Sequence, residues 1–240
     1  MTLNSILLYV SEWLVVVAVT WLVRLNARLK GRPVGFKYPA REGYVSLGLF
    51  ASILALAYFF FTRITRAPDS LGLLWQRLTV DGIALAICAV ALLGRGQPLR
   101  SAGWGRDATS AGLRIGLALA ILTIFLRGKI FSIINGVNAQ DGSALLACLG
   151  IGLAEESIFR GYIQMRMSSW LGQRWGWLAT AGLYLVWQIP RLAGDPATLP
   201  INLLIVGVQG LVLGWLAQTG GNVMAPAIYR AISEWASFLP

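Results

Sequence analysis

Apolar residues recur along this chain in runs close to the length that crosses a bilayer, and short polar segments separate the runs. A helix needs about 20 mostly apolar residues to span the hydrocarbon core of a membrane. Eight runs occur, at residues 6–23, 45–61, 82–93, 112–126, 144–165, 177–189, 201–217 and 223–238. The pattern predicts an all-α fold, a polytopic membrane helix bundle of about eight transmembrane helices. The runs at 82–93 and 177–189 are short, so we expect tilting, local thinning or burial within the bundle there.

Polar residues inside these runs divide the chain into two parts. Each charge within a spanning helix costs about 3 kcal/mol or more, so it needs a partner or a purpose. The set comprises Glu12, Glu155, Glu156, Arg160, Arg230 and Glu234, with Gln188 and Gln209 as neutral companions. All but Glu12 lie in the second half of the chain. We therefore expect a single integrated membrane domain, with a four-helix scaffold at 1–143 and a four-helix core at 144–240.

Composition excludes a soluble domain and restricts the chemistry. The chain is 57% hydrophobic and 12% charged, and this charged share is about half of what soluble domains carry. The net charge is +10, but the basic residues are scattered through loops without an interleaved aromatic stripe, so we expect no nucleic-acid partner. Anionic lipid headgroups are the expected partner. The chain has no histidine, so any reaction must proceed without an imidazole base or metal ligand.

The distribution of Lys and Arg among the loops predicts an orientation. Cytoplasmic loops collect these residues. The first, third and fifth loops between the predicted helices, counted together with Arg114 at the start of the fourth run, hold 12 of them, and the even-numbered loops hold 6. We therefore predict that both termini lie outside and that the odd-numbered loops lie in the cytoplasm.

Glu155 and Glu156 are adjacent in one apolar run. Successive helical residues point about 100° apart, so the two carboxylates face different directions and cannot share one role. Arg160 lies four residues after Glu156, a spacing that favours an ion pair within the helix. Glu155 has no cation at the matching position, which suits it to exchange a proton with a water molecule. The alternative from the residues alone is an interhelical salt-bridge network that joins both glutamates to Arg160 and Arg230.

The region from residue 144 to the C-terminus contains three motifs. The first is Glu155-Glu156-Ser-Ile-Phe-Arg160-Gly-Tyr, which resembles the Glu-Glu-x-x-x-Arg signature of the CAAX-protease and bacteriocin-processing membrane proteins, known as the CPBP or Abi family. The second is Tyr184-Leu-Val-Trp-Gln188-Ile-Pro, in which Gln188 replaces the family's first histidine. The third is Ala-Pro-Ala-Ile-Tyr-Arg230-Ala-Ile-Ser-Glu234, in which Arg230 replaces the second histidine and Glu234 an asparagine. The chain thus resembles a divergent family member without either motif histidine.

This resemblance implies roles for the matching residues. Glu155 corresponds to the base that activates water in an intramembrane endopeptidase, and Glu156 with Arg160 to its supporting pair. The implied catalytic set is Glu155, Glu156, Arg160, Gln188, Arg230 and Glu234. We expect no metal and no cofactor, because Arg cannot ligate a metal and Gln ligates zinc poorly. The resemblance also implies a membrane peptide or membrane protein as partner, and an integral protein of a bacterial cytoplasmic membrane with its site nearer the cytoplasmic side.

Three interpretations remain open at the level of sequence. In the first, Arg230 pairs permanently with Glu155, Glu234 completes the network, and the protein is a catalytically degenerate relative that binds or scaffolds membrane partners. In the second, the protein is an active glutamate-dependent intramembrane protease in which Glu155 and Gln188 converge on one water molecule. In the third, the same glutamates line a transporter or proton path, which requires a continuous polar route.

Overall fold

A computed structural model describes residues 3–26, 29, 34–64, 67, 69–192 and 198–240. The described residues form helices and connecting segments without a β-strand. The helices are α1 (Leu3–Leu25), α2 (Pro39–Arg63), α3 (Ser70–Gly94), α4 (Arg106–Leu126), α5 (Ile130–Ile134), α6 (Ala139–Glu156), α7 (Gln164–Leu171), α8 (Gln173–Leu192), α9 (Leu199–Gly220) and α10 (Met224–Trp235). A 3₁₀ turn at Leu99–Ala102 precedes α4, and a π-helical segment at Ser157–Ile163 joins α6 to α7.

Each of the eight predicted runs corresponds to a helix, and the all-α membrane bundle is confirmed. Six helical segments among the described residues are long and apolar enough to cross a membrane: Leu7–Leu25, Pro39–Arg63, Ser70–Gly94, Thr109–Leu126, Ala139–Leu171 and Leu199–Gly220. The runs at 177–189 and 223–238 became α8 and α10, which do not meet that standard. Six of the eight predicted helices therefore qualify as membrane spans by length and composition.

Helix α3 is much longer than the run at 82–93 predicts. It begins at Ser70, where the side chain of Asp69 accepts a hydrogen bond from the Gly72 backbone N–H and caps the helix. Its first half contains Arg77 and Asp81, and these charges interrupt the apolar pattern on which the prediction rested. Arg77 is therefore a residue of a 25-residue helix and does not lie in a loop as the sequence pattern predicted.

The Glu-Glu segment ends α6, and small residues bring this helix against its neighbours. A Cβ at Gly152 would lie 2.7 Å from the Ala227 carbonyl oxygen, so only glycine lets α6 approach the α10 backbone this closely. The π-helical segment starts one residue after Glu156, and the Ser157 hydroxyl donates to the Leu153 carbonyl at 2.6 Å. π-helical turns within α-helices often occur at functional sites.

Helix α10 packs against α4 and α6, while α9 packs against α1 and α8. The spanning helices alternate in direction, which gives the bundle two distinct ends. At one end, which we call the C-terminal end, α4 and α10 finish, and Lys129 Nζ donates to the Leu239 carbonyl oxygen at 2.7 Å. At the opposite end, Arg95 and Arg166 both contact the carboxylate of Glu42. The division of the chain at residue 143 stays a prediction.

Candidate functional site

The carboxylate of Glu155 lies at the centre of a buried polar cluster. Its side chain is fully buried. Its Oε1 accepts hydrogen bonds from Arg77, at 3.0 Å from Nη2 and 3.3 Å from Nε, and also from Arg191 Nη1. Its Oε2 accepts from the Tyr184 hydroxyl at 3.1 Å and from Gln188 Nε2 at 3.2 Å, and it forms an ion pair with Arg230. Five side chains therefore surround this one carboxylate, although no cation stands beside it within its own helix.

Arg230 lies between the two adjacent glutamates. Its Nη2 contacts Glu155, and its Nη1 lies 3.4 Å from Glu156 Oε1 and donates to the Tyr184 hydroxyl. The other oxygen of Glu156 lies 3.2 Å from Arg160 Nε, which is the ion pair that the i, i+4 spacing predicted. The residue at the second histidine position thus occupies the space that the two glutamates share.

Gln188 and Glu234 complete the set of predicted site residues. Gln188 is buried, and its amide N–H donates directly to Glu155, so no water-sized space separates the two side chains. Glu234 pairs with Arg77 at the edge of the cluster and keeps 24% of its side chain exposed. The structure therefore brings all six predicted residues into one connected network.

Four further residues belong to this network, and the sequence interpretation missed them. Asp81 is fully buried and pairs with Arg191, which also contacts Glu155. Arg77 connects Glu155, Glu234 and Asp81, the last at 3.8 Å. Tyr184 is the aromatic residue of the second motif, and its ring also faces the Arg160 guanidinium at 4.4 Å. The sequence offered one indication of these residues, the i, i+4 spacing of Arg77 and Asp81, which is typical of an ion pair within a helix.

The network is balanced in charge. It contains four carboxylates, on Asp81, Glu155, Glu156 and Glu234, and four guanidinium groups, on Arg77, Arg160, Arg191 and Arg230. Buried charges are tolerated when they are paired and hydrogen-bonded. Such an arrangement holds five helical elements together, because its members come from α3, α6, the π-helical segment, α8 and α10.

A cavity of about 570 Å³ adjoins this network. Arg77, Gln188, Arg230 and Glu234 line one side of it. Helix α9 supplies another wall, with the side chains of Ile201, Asn202, Ile205, Val206 and Gln209. Glu155 does not line the cavity, because the side chains that bind its carboxylate lie between it and this space.

The position of this cavity bears on the predicted orientation of the bundle and on the prediction that the site lies nearer the cytoplasm. It extends to the C-terminal end of the bundle, where Ser237 and Phe238 contribute to its lining. The count of basic residues predicts that this end lies outside. The predicted orientation and a site nearer the cytoplasm are therefore mutually exclusive.

Most of the side chains that contact the buried carboxylates are cationic. Among the described residues, no three His, Cys, Asp or Glu side chains lie together in a way that could hold a metal ion. The positions around Glu155 that a metal would need are occupied by guanidinium groups, which repel cations.

Residues 142–236 match the family model described as type II CAAX prenyl endopeptidase Rce1-like. The match includes all six predicted site residues and ends four residues before the C-terminus. No curated protein and no solved structure matches the chain. The match confirms the resemblance on which the predicted roles rest: residues 142–236 are similar to the CPBP-family membrane proteases.

Proposed function

We propose that this protein is a catalytically degenerate relative of the intramembrane CAAX endopeptidases that binds or scaffolds membrane partners. The observation that carries the proposal is the position of Arg230, which contacts both Glu155 and Glu156. An arginine side chain stays protonated throughout the accessible pH range. It is therefore a permanent cation at the place where a base, a water molecule and a substrate would have to meet.

Hydrogen bonding at Glu155 supports the same conclusion. A general base must accept a hydrogen bond from the water molecule that it deprotonates. Both oxygens of Glu155 already accept from other side chains, three of which are cationic. Removing one partner of a buried ion pair typically costs about 3–5 kcal/mol. Freeing Glu155 for catalysis would require more than one such contact to break.

The cavity beside the network supports a binding role. Its volume of about 570 Å³ is typical of ligand sites. Aliphatic side chains of α9 face charged and amide side chains across it, which suits a segment of membrane peptide that carries unpaired backbone groups. We therefore propose a membrane peptide or membrane protein segment as the occupant.

Site-specific photo-crosslinking in native cells tests the binding role. A photoreactive residue at position 202 faces the cavity, whereas one at position 204 serves as the matched control, because Leu204 is on the same helix and 62% exposed. We expect a defined membrane-protein adduct from position 202 that position 204 does not give. Equal adducts from both positions would show only lipid-facing contacts and would contradict a partner in the cavity.

Quantitative sequencing of membrane-protein N-termini tests the catalytic part, and it does not require the substrate to be identified first. Cells with the wild-type protein, with Glu155→Gln and with no protein are compared. We expect the same set of N-termini in all three. New N-termini that require the wild-type protein, and that vanish with Glu155→Gln while this variant is present in the membrane at the wild-type level, would establish the active protease and refute the degenerate one.

The transport alternative requires a polar route between the two ends of the bundle. The network connects the cavity at the C-terminal end, through Arg230, Glu156 and Arg160, to a second cavity that Arg160 lines from the other side. Proton relays need groups that release and take up protons, and guanidinium groups do not. The route is therefore polar but blocked by fixed cations, which favours the binding role over transport.

We further propose that the C-terminal end of the bundle lies outside a bacterial cytoplasmic membrane. Three of the six basic residues assigned to that end, Arg77, Arg127 and Arg191, are neutralised by buried acids. The two ends therefore differ more in unneutralised positive charge than the count of Lys and Arg in their loops indicates. A cysteine at exposed Ser237 should react with a membrane-impermeant maleimide in intact cells; labelling only after lysis would reverse the orientation.

A further inference from the structure

We propose that a second cavity, at the end of the bundle opposite the C-terminal end, binds the phosphate of an anionic phospholipid headgroup. Its volume is about 580 Å³. Its lining includes the polar side chains of Arg24, Arg160, Gln164, Ser168, Gln173 and Arg174. It is separated from the first cavity by the buried ion network.

The electrostatics of this second cavity favour an anion. Three arginines line it, and no acidic side chain is among its described lining residues. The sequence between Glu12 and Glu42, which includes Arg24, contains no Asp or Glu at all. Guanidinium groups bind phosphate oxygens in a bidentate geometry and are the side chains best suited to this ligand.

A buried donor without a partner in the described part of the chain makes this a formed site. Arg160 is 2% exposed; its Nε faces Glu156 at 3.2 Å and its Nη2 donates to the Gly210 carbonyl at 3.4 Å. Its Nη1 has no hydrogen-bond partner in the described part of the chain. Gln164 is 3% exposed; its Nε2 donates to the Gly214 carbonyl at 2.8 Å, and its Oε1, an acceptor, has no partner among the described residues. A buried donor without a partner is costly, and a phosphate oxygen in the cavity would satisfy Arg160 Nη1.

The surroundings favour a lipid over a soluble phosphate. Trp215 lines the cavity, its ring packs 6.4 Å from that of Trp21, and the Arg24 guanidinium lies 5.4 Å from the Trp21 ring. Tryptophan and arginine together mark the headgroup level of a membrane. Met165 and Trp177 give the cavity an apolar part where the glycerol portion of a phospholipid can pack.

Lipid binding to purified full-length protein tests this proposal. The protein is reconstituted in phosphatidylcholine nanodiscs with increasing fractions of phosphatidylglycerol, and the thermal unfolding midpoint is recorded. Arg174→Gln removes an exposed lining charge and should leave folding intact. Arg41→Gln is the matched control, because Arg41 is exposed at the same end and does not line the cavity. Gln164→Glu provides a second variant that places a negative charge inside.

We expect a saturable rise of the unfolding midpoint with phosphatidylglycerol in the wild-type protein. The half-saturating fraction should increase about fivefold in Arg174→Gln, the effect of one basic residue at an anionic surface, and at least as much in Gln164→Glu. It should be unchanged in Arg41→Gln. Equal changes in Arg174→Gln and Arg41→Gln would show general surface attraction and overturn the site. The same saturable rise with inorganic phosphate alone would overturn the lipid assignment. Neither outcome depends on whether the protein cleaves peptides.

Discussion

The coupling between Glu155 and Arg230 can be measured with a double-mutant cycle. The ion network has four positive and four negative side chains, so Glu155→Gln leaves it with a net charge of +1 and Arg230→Gln with −1. The double variant is neutral again. Each single substitution therefore leaves an uncompensated buried charge, and the double substitution does not.

The contacts of Glu155 set the expected changes in the free energy of unfolding. Glu155 keeps Arg77 and Arg191 when Arg230 is replaced, so we expect each single variant to lower the free energy of unfolding by about 3 kcal/mol, the lower end of the range for broken buried pairs. Groups in one ion network couple by about 0.5–3 kcal/mol. We expect the double variant to be about 2 kcal/mol more stable than the sum of the single effects predicts.

Equilibrium unfolding in mixed micelles, followed by tryptophan fluorescence, measures these differences. Arg63→Gln is the matched control, because Arg63 is exposed on α2 and should change stability by less than about 0.5 kcal/mol. If the two single effects add within about 0.5 kcal/mol, the side chains are not coupled. The role of Arg230 as a fixed partner of Glu155 would then be refuted.

Three further predictions concern the rest of the bundle. Replacing Glu12 by Gln removes the partner of Arg127 and should lower the free energy of unfolding by about 3 kcal/mol in the same micelle assay. A Cβ at Gly214 would lie 2.8 Å from Trp177 Cδ1, so Gly214→Ala should destabilise by about 1–3 kcal/mol, whereas Gly48→Ala, with no atom within 4 Å of the new Cβ, should not destabilise. Equal midpoints for these two alanine variants would contradict the tight contact between α8 and α9. Both cysteines are buried, so a thiol reagent should label the protein only after unfolding, as mass spectrometry can show.

The sequence determined the membrane fold because the information is local. Eight apolar runs predict eight helices, and bilayer thickness and helix geometry alone turn such runs into spanning elements. The position of Arg160 four residues after Glu156 also predicted the ion pair between these two side chains, since helical spacing fixes which side chains meet. The absence of histidine excluded imidazole chemistry on composition alone.

Only the tertiary structure decided that Arg77 and Arg191 meet Glu155 together with Arg230, the cation that one interpretation of the sequence had proposed. Arg77 comes from α3, Arg191 from the end of α8 and Arg230 from α10, and no spacing along the chain predicts that three separate helices converge on one carboxylate. Arg77 and Asp81 also interrupted the apolar pattern of α3, so the sequence pattern placed Arg77 in a loop. Burial becomes favourable only when helix packing supplies the opposite charge, which is a property of the assembled bundle and not of any one segment.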